Sequence, residues 1–551
     1  MFESTGPFGS RRAAQASSRS PHPDLFEPER SASITTSRRW GSSRGHGEGI
    51  HRRPGDRRWP EVGGASHARR DYARGVSRDY DLVVLGGGPA SERGAAQAAY
   101  FGKRVGMVER QRAPGGGAVH TGTLPSKTLR ETALFLSGYR QRDLYGVKVE
   151  VDPDLTVGRL LKRTDAVRGL ETERIRRNLD RHGIELIRGE GRLIDPHTVE
   201  VLTPRGRRSL QGEVILIATG SSPYRPPGIP YGDGDVHDAD GILGIERLPR
   251  SLAIIGGGVI GCEYACMFAA LGVEVHLVDP QPGLLPFLDV EMGERLAATM
   301  VRLGIALHLD RRHERVDRRP RGLACTLSSG EVLVVASVLV AAGRSGNTEG
   351  LGLAELGIRV DPRGYILVDE DYRTAVRNIF AAGDVIGFPA LASVSMEQAR
   401  VAVCHAFGFT YKREVSGLLP YGIYTIPEVS SVGLGEDEAA RRGLDVVVGR
   451  GSFAEGVRGQ IMGDRDGMVK LVFDRTSRRL VGCHCIGERA SELTHVGQVA
   501  IALSGTVDTF IEMVFNHPTL GEVFKYAAYD ALDQLGPRHD TPRDRTNANE
   551  R

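Results

Sequence analysis

A glycine-rich turn with the spacing G-x-G-x-x-G lies near the middle of the chain, at Gly256, Gly258 and Gly261. These glycines allow a tight turn, close approach of the backbone to a pyrophosphate, and close packing of a helix on a strand. One apolar run precedes the turn, and a second apolar run ends at Asp279. An acid placed there, one strand beyond the turn, can accept a hydrogen bond from a ribose 2′-hydroxyl. The pattern predicts a dinucleotide-binding βαβ unit.

A related turn lies in the N-terminal half of the chain. Gly86 and Gly88 occupy the first two glycine positions, and Ser91 occupies the third. Glu109 follows Gly86 at the same spacing that separates Asp279 from Gly256. Serine is small, so we expect only a modest loss of contact between helix and strand. Two dinucleotide sites in one chain predict FAD together with a nicotinamide nucleotide, with hydride passing between them.

The elements that must position these turns alternate between strand and helix, as in a parallel sheet covered by helices. Each unit reads as strand, turn, helix and strand. The first unit has a strand at Asp81–Leu85, a helix through Ala99 and a strand at Val105–Val108. The second unit has a strand at Ser251–Ile255, a helix through Ala270 and a strand at Val275–Val278. Residues 416–536 lack such a turn and carry strand-like and then helix-like runs. We therefore predict an α/β fold with two Rossmann-like dinucleotide-binding domains and a C-terminal α+β domain.

Composition excludes several classes of protein. The 551 residues are 40% hydrophobic and carry a net charge of +3, too balanced for a dedicated nucleic-acid or polybasic membrane binder. No apolar run approaches the roughly 18–20 residues of a spanning helix. Six cysteines in so long a chain do not form a secreted disulfide framework. We expect a cytoplasmic protein without a metal site that binds neither membrane nor nucleic acid.

Residues 1–78 differ from the rest of the chain. They contain fifteen arginines, eight acidic residues and no lysine, so the remaining residues are net negative. The stretch has no sustained apolar pattern, which predicts a disordered extension. A targeting role, a nucleic-acid-binding arm and an inert tail all remain open, with the inert tail favoured.

Three further motifs carry a resemblance to a known family. They are Ile217–Gly220 (IATG), Ala342–Arg344 (AGR) and Ile379–Asp384 (IFAAGD). With them, residues 79–536 resemble the two-dinucleotide flavoprotein disulfide reductases. The resemblance implies a C-terminal dimerisation domain, a homodimer, and an FAD contact from Asp384. The predicted division of the chain is: 1–78 extension, 79–240 and 346–415 FAD-binding domain, 241–345 NAD(P)-binding domain, 416–536 interface domain, 537–551 flexible tail.

One segment departs from that family. In the disulfide reductases, two cysteines stand at the positions that Ala118 and Thr123 hold here. Neither residue can form a thiolate, so disulfide reduction by that route is excluded. Cys262 and Cys266, at helical spacing after the second turn, are interpreted as packing residues on a helix.

Several stretches are similar to the branch of this family that lacks the disulfide, the soluble pyridine nucleotide transhydrogenases. These stretches are TGTLPSKTLRE, SGYRQRDLYG, GVIGCEYA, LLPFLD and FNHPTLGE, although members of the branch often carry tyrosine where this chain has His517. The resemblance implies a ping-pong cycle with FAD, NAD and NADP, in which one nicotinamide site serves both nucleotides.

The resemblance also implies the site residues. Lys127 would lie near the flavin N5 and pair with Glu263, while His517 and Glu522 form either an acid/base dyad for the other subunit or an interface remnant. The FAD contacts are predicted at Gly86, Gly88, Glu109, Gly116, Gly117, Ala118, Thr123, Lys127, Gly191, Gly220, Asp384 and Ala392. The nicotinamide contacts are predicted at Gly256, Gly258, Gly261, Glu263, Asp279 and Gly343.

Asp279 creates a tension within this interpretation. Its carboxylate favours NAD, because it would repel the 2′-phosphate of NADP, and residues 280–283 contain no arginine or lysine. An NADH-dependent diaphorase or quinone reductase on the same scaffold is therefore an alternative. A non-catalytic flavoprotein that binds partners through its basic extension is an alternative from another class.

Overall fold

A computed structural model describes residues 78–138, 157–232 and 234–536 of the chain. The predicted extension lies outside the described residues apart from Arg78, as do the predicted tail and most of the SGYRQRDLYG motif. The strands and helices below are numbered in chain order.

The first stretch of the chain forms most of a sheet with helices around it. Its elements are β1 (Tyr80–Leu85), α1 (Pro89–Tyr100), β2 (Val105–Glu109), α2 (Gly116–His120), α3 (Thr123–Leu136), α4 (Val157–Arg181), β3 (Glu185–Arg188), β4 (Glu190–Asp195), β5 (Thr198–Thr203) and β6 (Gly206–Ile217). The strand order is β3-β2-β1-β6-β5-β4. Strands β1, β2, β3 and β6 are parallel, whereas β4 and β5 pair antiparallel beside β6. The buried apolar runs of β1 and β2 therefore lie in the interior of the sheet.

The middle of the chain forms a second parallel sheet and an antiparallel meander. Its elements are β7 (Ser221–Pro223), β8 (Val236–Asp238), β9 (Ser251–Ile255), α5 (Val259–Ala270), β10 (Glu274–Asp279), α6 (Val290–Arg302), β11 (Ile305–Leu309), β12 (His313–Arg318), β13 (Leu323–Leu327), β14 (Val332–Val335), β15 (Ser337–Val340) and β16 (Arg344–Gly346). The parallel sheet has the order β11-β10-β9-β15-β8, and β12, β13 and β14 form the meander.

The chain then returns to the first sheet through β17 (Ile379–Ala381) and α7 (Ala392–Phe407). Strand β17 adds parallel to β6, which completes a sheet of seven strands. Helix α7 packs on α1 through small residues: a side chain added at Gly94 would meet Ala399 Cβ at 3.3 Å. Close packing of these helices therefore depends on residues without bulky side chains.

The C-terminal region forms an antiparallel sheet covered by helices. Its elements are β18 (Tyr421–Ile423), β19 (Glu428–Gly433), α8 (Glu436–Arg441), β20 (Val446–Ser452), α9 (Val457–Met462), β21 (Met468–Asp474), β22 (Leu480–Gly487), α10 (Ala490–Ala502), α11 (Val507–Glu512) and α12 (Val523–Leu535). The strand order is β18-β19-β22-β21-β20. The prediction of two Rossmann-like units and a C-terminal α+β domain is confirmed.

A charged cluster around a buried lysine joins the start of α6, beside the second parallel sheet, to the C-terminal sheet. Lys470 of β21, with its side chain only 2% exposed, lies 2.7 Å from Asp289 Oδ1, 3.1 Å from Glu291 Oε2 and 3.2 Å from Glu436 Oε1. Asp289 also accepts a hydrogen bond from the backbone N–H of Glu291 and so caps α6. We call these four residues the Lys470 cluster. Removing one partner of a buried ion pair typically costs about 3–5 kcal/mol, so the cluster fixes this joint.

Two features bear on metals and membranes within the described residues. No three side chains among their histidines, cysteines, aspartates and glutamates are arranged to hold a metal ion. None of their helices combines the length and apolar character that a bilayer crossing requires.

Candidate functional site

A cleft of about 1900 Å³ opens between the first sheet, the second parallel sheet and the C-terminal sheet. This volume exceeds the roughly 300–1,000 Å³ of a typical pocket for one small ligand. The predicted residues that line it are Gly86, Gly88, Glu109, Gly116, Gly117, Ala118, Thr123, Lys127, Gly191, Gly220, Gly256, Gly258, Glu263, Asp279, Gly343, Asp384 and Ala392. Of the predicted residues, Gly261, His517 and Glu522 do not line the cleft.

The first glycine turn connects β1 to α1. Gly86 has φ +113°, and a side chain there would meet Ala218 O at 2.3 Å, so both conformation and space require glycine. Glu109 ends β2 and folds over the middle residue of the turn, since a Cβ at Gly87 would lie 2.4 Å from Glu109 Oε2. The other oxygen of Glu109 accepts from the backbone N–H of Gln111 at 2.6 Å.

The second turn, between β9 and α5, repeats this geometry. Gly256 has φ +111°, and a Cβ there would meet Ala341 O at 2.5 Å. The Asp279 carboxylate accepts hydrogen bonds from the backbone N–H groups of Gly257 and Gln281. Gly261 packs against the turn itself: a Cβ there would lie 1.8 Å from Gly256 O. Its role is therefore helix–strand packing, which explains why it does not line the cleft.

The starts of α1 and α5 fit a bound pyrophosphate. Each helix is preceded by a glycine, Gly88 or Gly258, and neither helix has a side-chain cap. The first N–H groups of a helix lack intrahelical partners and attract anions. A Cβ at Gly258 would have no atom within 4 Å, so the space above this helix end is open to a ligand.

Asp384 lines the cleft shortly after β17 ends, near the start of α1, where a Cβ at Gly383 would lie 3.1 Å from Ala90 Cβ. Its carboxylate accepts from Ser221 Oγ at 3.2 Å and from Ser395 Oγ at 3.3 Å. Gly383, immediately before it, donates its backbone N–H to Gln398 Oε1 at 2.9 Å. These contacts hold an ionisable group facing the cleft beside the end of β6.

The Lys127 and Glu263 side chains meet at the centre of the cleft. Lys127 Nζ of α3 lies 2.6 Å from Glu263 Oε2 of α5, and Glu263 is buried. Glu263 Oε1 accepts from the backbone N–H of Tyr424 at 2.9 Å, and Lys127 Nζ lies 4.9 Å from the centre of the Tyr424 ring. The pair thus connects α3, α5 and the segment after β18. Tyr424 was not predicted, because only the tertiary fold brings it to this site.

A second contact, about one helical turn beyond Lys127, ties α3 to the segment that leads into β19. Arg130 donates through Nε to Thr425 O at 3.0 Å, and its Nη1 lies 3.2 Å from Glu428 Oε1. Arg130 is buried, so this pair is held out of water. The orientation of α3, and with it the position of Lys127, is fixed at two points.

His517 and Glu522 form a dyad outside this cleft. His517 Nδ1 lies 2.7 Å from Glu522 Oε1, and the His517 side chain is 61% exposed. The hydrogen bond with His517 lowers the pKa of Glu522. Within one chain the dyad therefore contacts solvent rather than the cleft.

The cysteines lie away from the cleft. All six are unpaired and buried, and none lines it. Burial raises the pKa of Cys266 to about 12, and the pKa of Cys262 is likewise raised by burial. Cys262 and Cys266 belong to the apolar core around α5, as predicted. Ala118 and Thr123 line the cleft instead, on α2 and at the start of α3.

The chain matches two models of protein families. Residues 80–406 match the family described as pyridine nucleotide-disulphide oxidoreductase, and residues 419–528 match the dimerisation domain of that family. The first match alone covers more than half of the chain.

Relatives with assigned names are similar over most of the chain. The soluble pyridine nucleotide transhydrogenase of Mycobacterium tuberculosis is 43% identical over 460 residues, which cover 83% of this chain and 98% of the relative. The protein of the same name from Pseudomonas aeruginosa is 38% identical, with coverage of 83% and 99%.

Solved structures are similar as well. The HOCl-induced flavoprotein disulfide reductase RclA from Escherichia coli has a TM-score of 0.74 at 27% identity, covering 82% of this chain and 99% of RclA. LpdA from Mycobacterium tuberculosis has a TM-score of 0.75 at 27% identity, covering 81% of this chain and 98% of LpdA.

Proposed function

The chain belongs to the pyridine nucleotide-disulphide oxidoreductase family, and on that premise we propose that it transfers hydride between NADPH and NAD⁺ as an FAD-dependent transhydrogenase. The observation that carries the proposal is the composition of the cleft. Both glycine turns and the Lys127–Glu263 pair line it, but no cysteine does. The named transhydrogenase relatives support the same activity.

Bound FAD would supply the two-electron hydride chemistry that no side chain offers. The residues of the first turn, with Asp384 and Ala392, hold the flavin nucleotide, and the residues of the second turn hold the nicotinamide nucleotide. We accordingly assign FAD to residues 79–240 and 346–415, and NAD(P) to residues 241–345. The uncapped N–H groups at the starts of α1 and α5 bind the two pyrophosphates.

Lys127 places a positive charge in the cleft, where it stabilises negative charge that develops during hydride transfer. Glu263 is a positioning residue, since it holds Lys127 Nζ at 2.6 Å while its other oxygen is fixed by Tyr424 N–H. The pair lies where α3, α5 and the segment after β18 meet, so the buried Glu263 carboxylate orients Lys127 across these regions.

We further propose a homodimer formed through residues 416–536, in keeping with the match to a dimerisation domain. The exposed His517–Glu522 dyad then lies at the interface or reaches the partner's cleft. Six unpaired cysteines favour a reducing compartment, and we assign the protein to the cytoplasm.

A quinone reductase is the second candidate function. Several aromatic side chains line the cleft, and three of them lie close together: Phe287 lies 5.8 Å and Phe388 6.3 Å from Tyr421, measured between ring centres. Such rings can stack on a planar acceptor. This candidate shares the reduction of flavin by a nicotinamide nucleotide and differs only in the second substrate.

Rapid mixing of the FAD-loaded protein under anaerobic conditions separates the candidates. We expect NADPH to reduce the flavin and the thionicotinamide analogue of NAD⁺ to reoxidise it faster than a quinone does. If NADP(H) neither reduces nor reoxidises the flavin, the transhydrogenase proposal is wrong. A reductive titration should consume about two electrons per FAD, because the flavin is the only redox centre proposed; four would require a participating disulfide.

A further inference from the structure

Two arginines lie in the cleft beside Asp279, just beyond a different strand. Strand β11 pairs with β10 so that Leu309 is opposite Asp279. The chain then turns, and the backbone N–H of Arg311 donates to Asp279 O at 3.1 Å. Arg311 and Arg312 line the same cleft as Asp279. Basic side chains therefore lie near the carboxylate that ends β10, although none of the four residues directly after Asp279 is basic.

A transhydrogenase must bind NADP(H) as well as NAD(H), so it requires basic groups that offset the negative charge of this carboxylate. The Asp279 carboxylate can accept from the 2′-hydroxyl of NAD(H), but it repels the 2′-phosphate of NADP(H). The phosphate carries about two negative charges and needs cationic donors close by. Within residues 280–283 there is no lysine or arginine.

We propose that Arg311 and Arg312 form the subsite for the 2′-phosphate of NADP(H), while Asp279 serves NAD(H). This inference rests on the proposed function, because it explains how one nicotinamide site accepts both nucleotides. Arginine suits the role, since its planar guanidinium binds a phosphate through two hydrogen bonds and stays charged at all relevant pH values.

The two guanidinium groups are available to a ligand. Among the residues that the structure describes, the Arg312 guanidinium has neither an ion-pair nor a hydrogen-bond partner. Arg311 Nη1 donates to the backbone carbonyl of Asp310 at 2.7 Å and lies 3.6 Å from the Asp310 carboxylate, which is 79% exposed. Such an exposed pair is weak, so a phosphate can displace it. The backbone of Arg312 is fixed by Ser328, through contacts of 3.1 Å and 2.8 Å.

The first dinucleotide unit provides an internal comparison. Strand β3 pairs with β2 so that Arg188 is opposite Glu109, as Leu309 is opposite Asp279. The residues that follow β3 and line the cleft are Gly189, Glu190 and Gly191, without a cation. FAD carries no 2′-phosphate. Arg110 and Arg112 of this unit also line the cleft, but they directly follow Glu109 at the end of β2. Only in the second unit, therefore, do arginines that line the cleft follow the strand that pairs beside the acidic residue.

Binding of two adenosine ligands to the full-length, FAD-loaded protein tests the subsite. Adenosine 2′,5′-bisphosphate carries the 2′-phosphate and AMP does not; calorimetry gives the dissociation constant of each. We expect Arg311→Ala and Arg312→Ala each to weaken binding of the bisphosphate about tenfold, as for the loss of a charge-assisted hydrogen bond. The affinity for AMP should change by less than about twofold.

Arg315→Ala is the matched control. Arg315 lies on β12, three residues beyond Arg312, pairs with Asp317 at 2.6 Å, and does not line the cleft. The variant removes the same charge from the same region of the fold, and should leave both affinities and the reduction of flavin by NADPH unchanged.

Two results would overturn the inference: bisphosphate affinity that is unchanged in both arginine variants, or affinity that falls as much in Arg315→Ala. These results leave the proposed function intact if the wild-type protein still exchanges hydride between NADPH and the NAD⁺ analogue. Conversely, a wild-type protein that binds the bisphosphate through Arg311 and Arg312 but transfers no hydride would support the subsite and contradict the function.

Discussion

The two glycine turns share their first position and differ at their third. Gly86 and Gly256 have nearly equal φ values of +113° and +111°, and each lies against a carbonyl oxygen of a neighbouring segment. At the third position, Gly261 leaves no room for a Cβ, which would lie 1.8 Å from Gly256 O. Ser91 is accommodated in the first turn, with its hydroxyl 3.4 Å from Ala218 O. Both units therefore share the tight turn. Only in the second unit does the helix lie so close to the turn that the third position has no room for a side chain.

The helices that follow also differ two residues later. Glu263 of α5 reaches Lys127 across the cleft. At the corresponding position of α1, the Arg93 guanidinium lies 3.9 Å from its neighbour Glu92. The same backbone motif thus carries a cross-domain contact in one copy and a local one in the other. The repeated motif is predicted to position a nucleotide in both copies, whereas the side chains around it differ between the copies.

Gly261→Ser should have the largest effect, because it adds a side chain where α5 lies closest to its glycine turn. Because the added Cβ must displace the carbonyl of Gly256, we expect a loss of about 3 kcal/mol in the free energy of unfolding. NADH binding should be lost before FAD binding. Chemical denaturation and the dissociation constant for NADH measure both effects.

A matched substitution is already present in the chain, since serine stands at the corresponding position of the first turn. If Gly261→Ser folds with unchanged stability and NADH affinity, the difference between the two helix positions has no energetic meaning.

Glu263→Gln should have the next largest effect. The amide retains an acceptor for the Tyr424 N–H but loses the ion pair with Lys127, so the cation is held less firmly. We expect the rate of flavin reduction at saturating NADPH to fall roughly 100-fold, while the affinity for FAD is maintained. Stopped-flow absorbance at the flavin band gives the rate.

Arg93→Gln serves as its control at the corresponding position of α1. That variant should reduce the flavin at the wild-type rate, because Arg93 does not line the cleft. Equal rates in the Glu263→Gln variant and the wild-type protein would mean that the ion pair is purely structural.

Ser91→Gly, the reciprocal substitution in the first turn, should have the smallest effect. The change makes the first turn a complete G-x-G-x-x-G, yet it places a glycine in the first turn of α1, where backbone entropy opposes it. We expect a loss of about 0.5–1 kcal/mol in stability and FAD affinity within about twofold of wild type. A gain in FAD affinity beyond tenfold would show that the serine weakens the site.

Much of the fold followed from local patterns. The strands and helices around both turns were predicted closely, because a buried parallel strand and a glycine turn each leave a clear signal in sequence. Helix α5, for example, ends at Ala270 as predicted, and β10 ends at Asp279.

The features of the site that the sequence did not reveal depend on long-range packing. Tyr424 reaches Lys127 from a distant region of the chain, and Arg311 reaches Asp279 only because β10 and β11 pair in register. Spacing along the chain carries no information about such neighbours. The roles of Gly87 and Gly257, which lie beneath the carboxylates of Glu109 and Asp279, were likewise not predicted.

The Lys470 cluster has a consequence for acid stability. Burial alone would raise the pKa of Asp289, but the hydrogen bond from Lys470 and the charges nearby outweigh burial and lower it. The same balance lowers the pKa of Glu291. Carboxylates of this kind contribute stability that is fully present above their unfolded pKa of about 4 and is lost as pH falls through the lower folded value.

Lys470 keeps its proton throughout that range. Burial by itself would lower its pKa, yet the surrounding carboxylates raise it. Proton uptake by Asp289 and Glu291 would therefore leave the buried Lys470 cation with Glu436 as the one remaining carboxylate of the cluster. The contact between the start of α6 and the C-terminal sheet is consequently sensitive to acid. Its contribution to stability decreases as the pH falls, whereas the contribution of an apolar contact would not depend on pH.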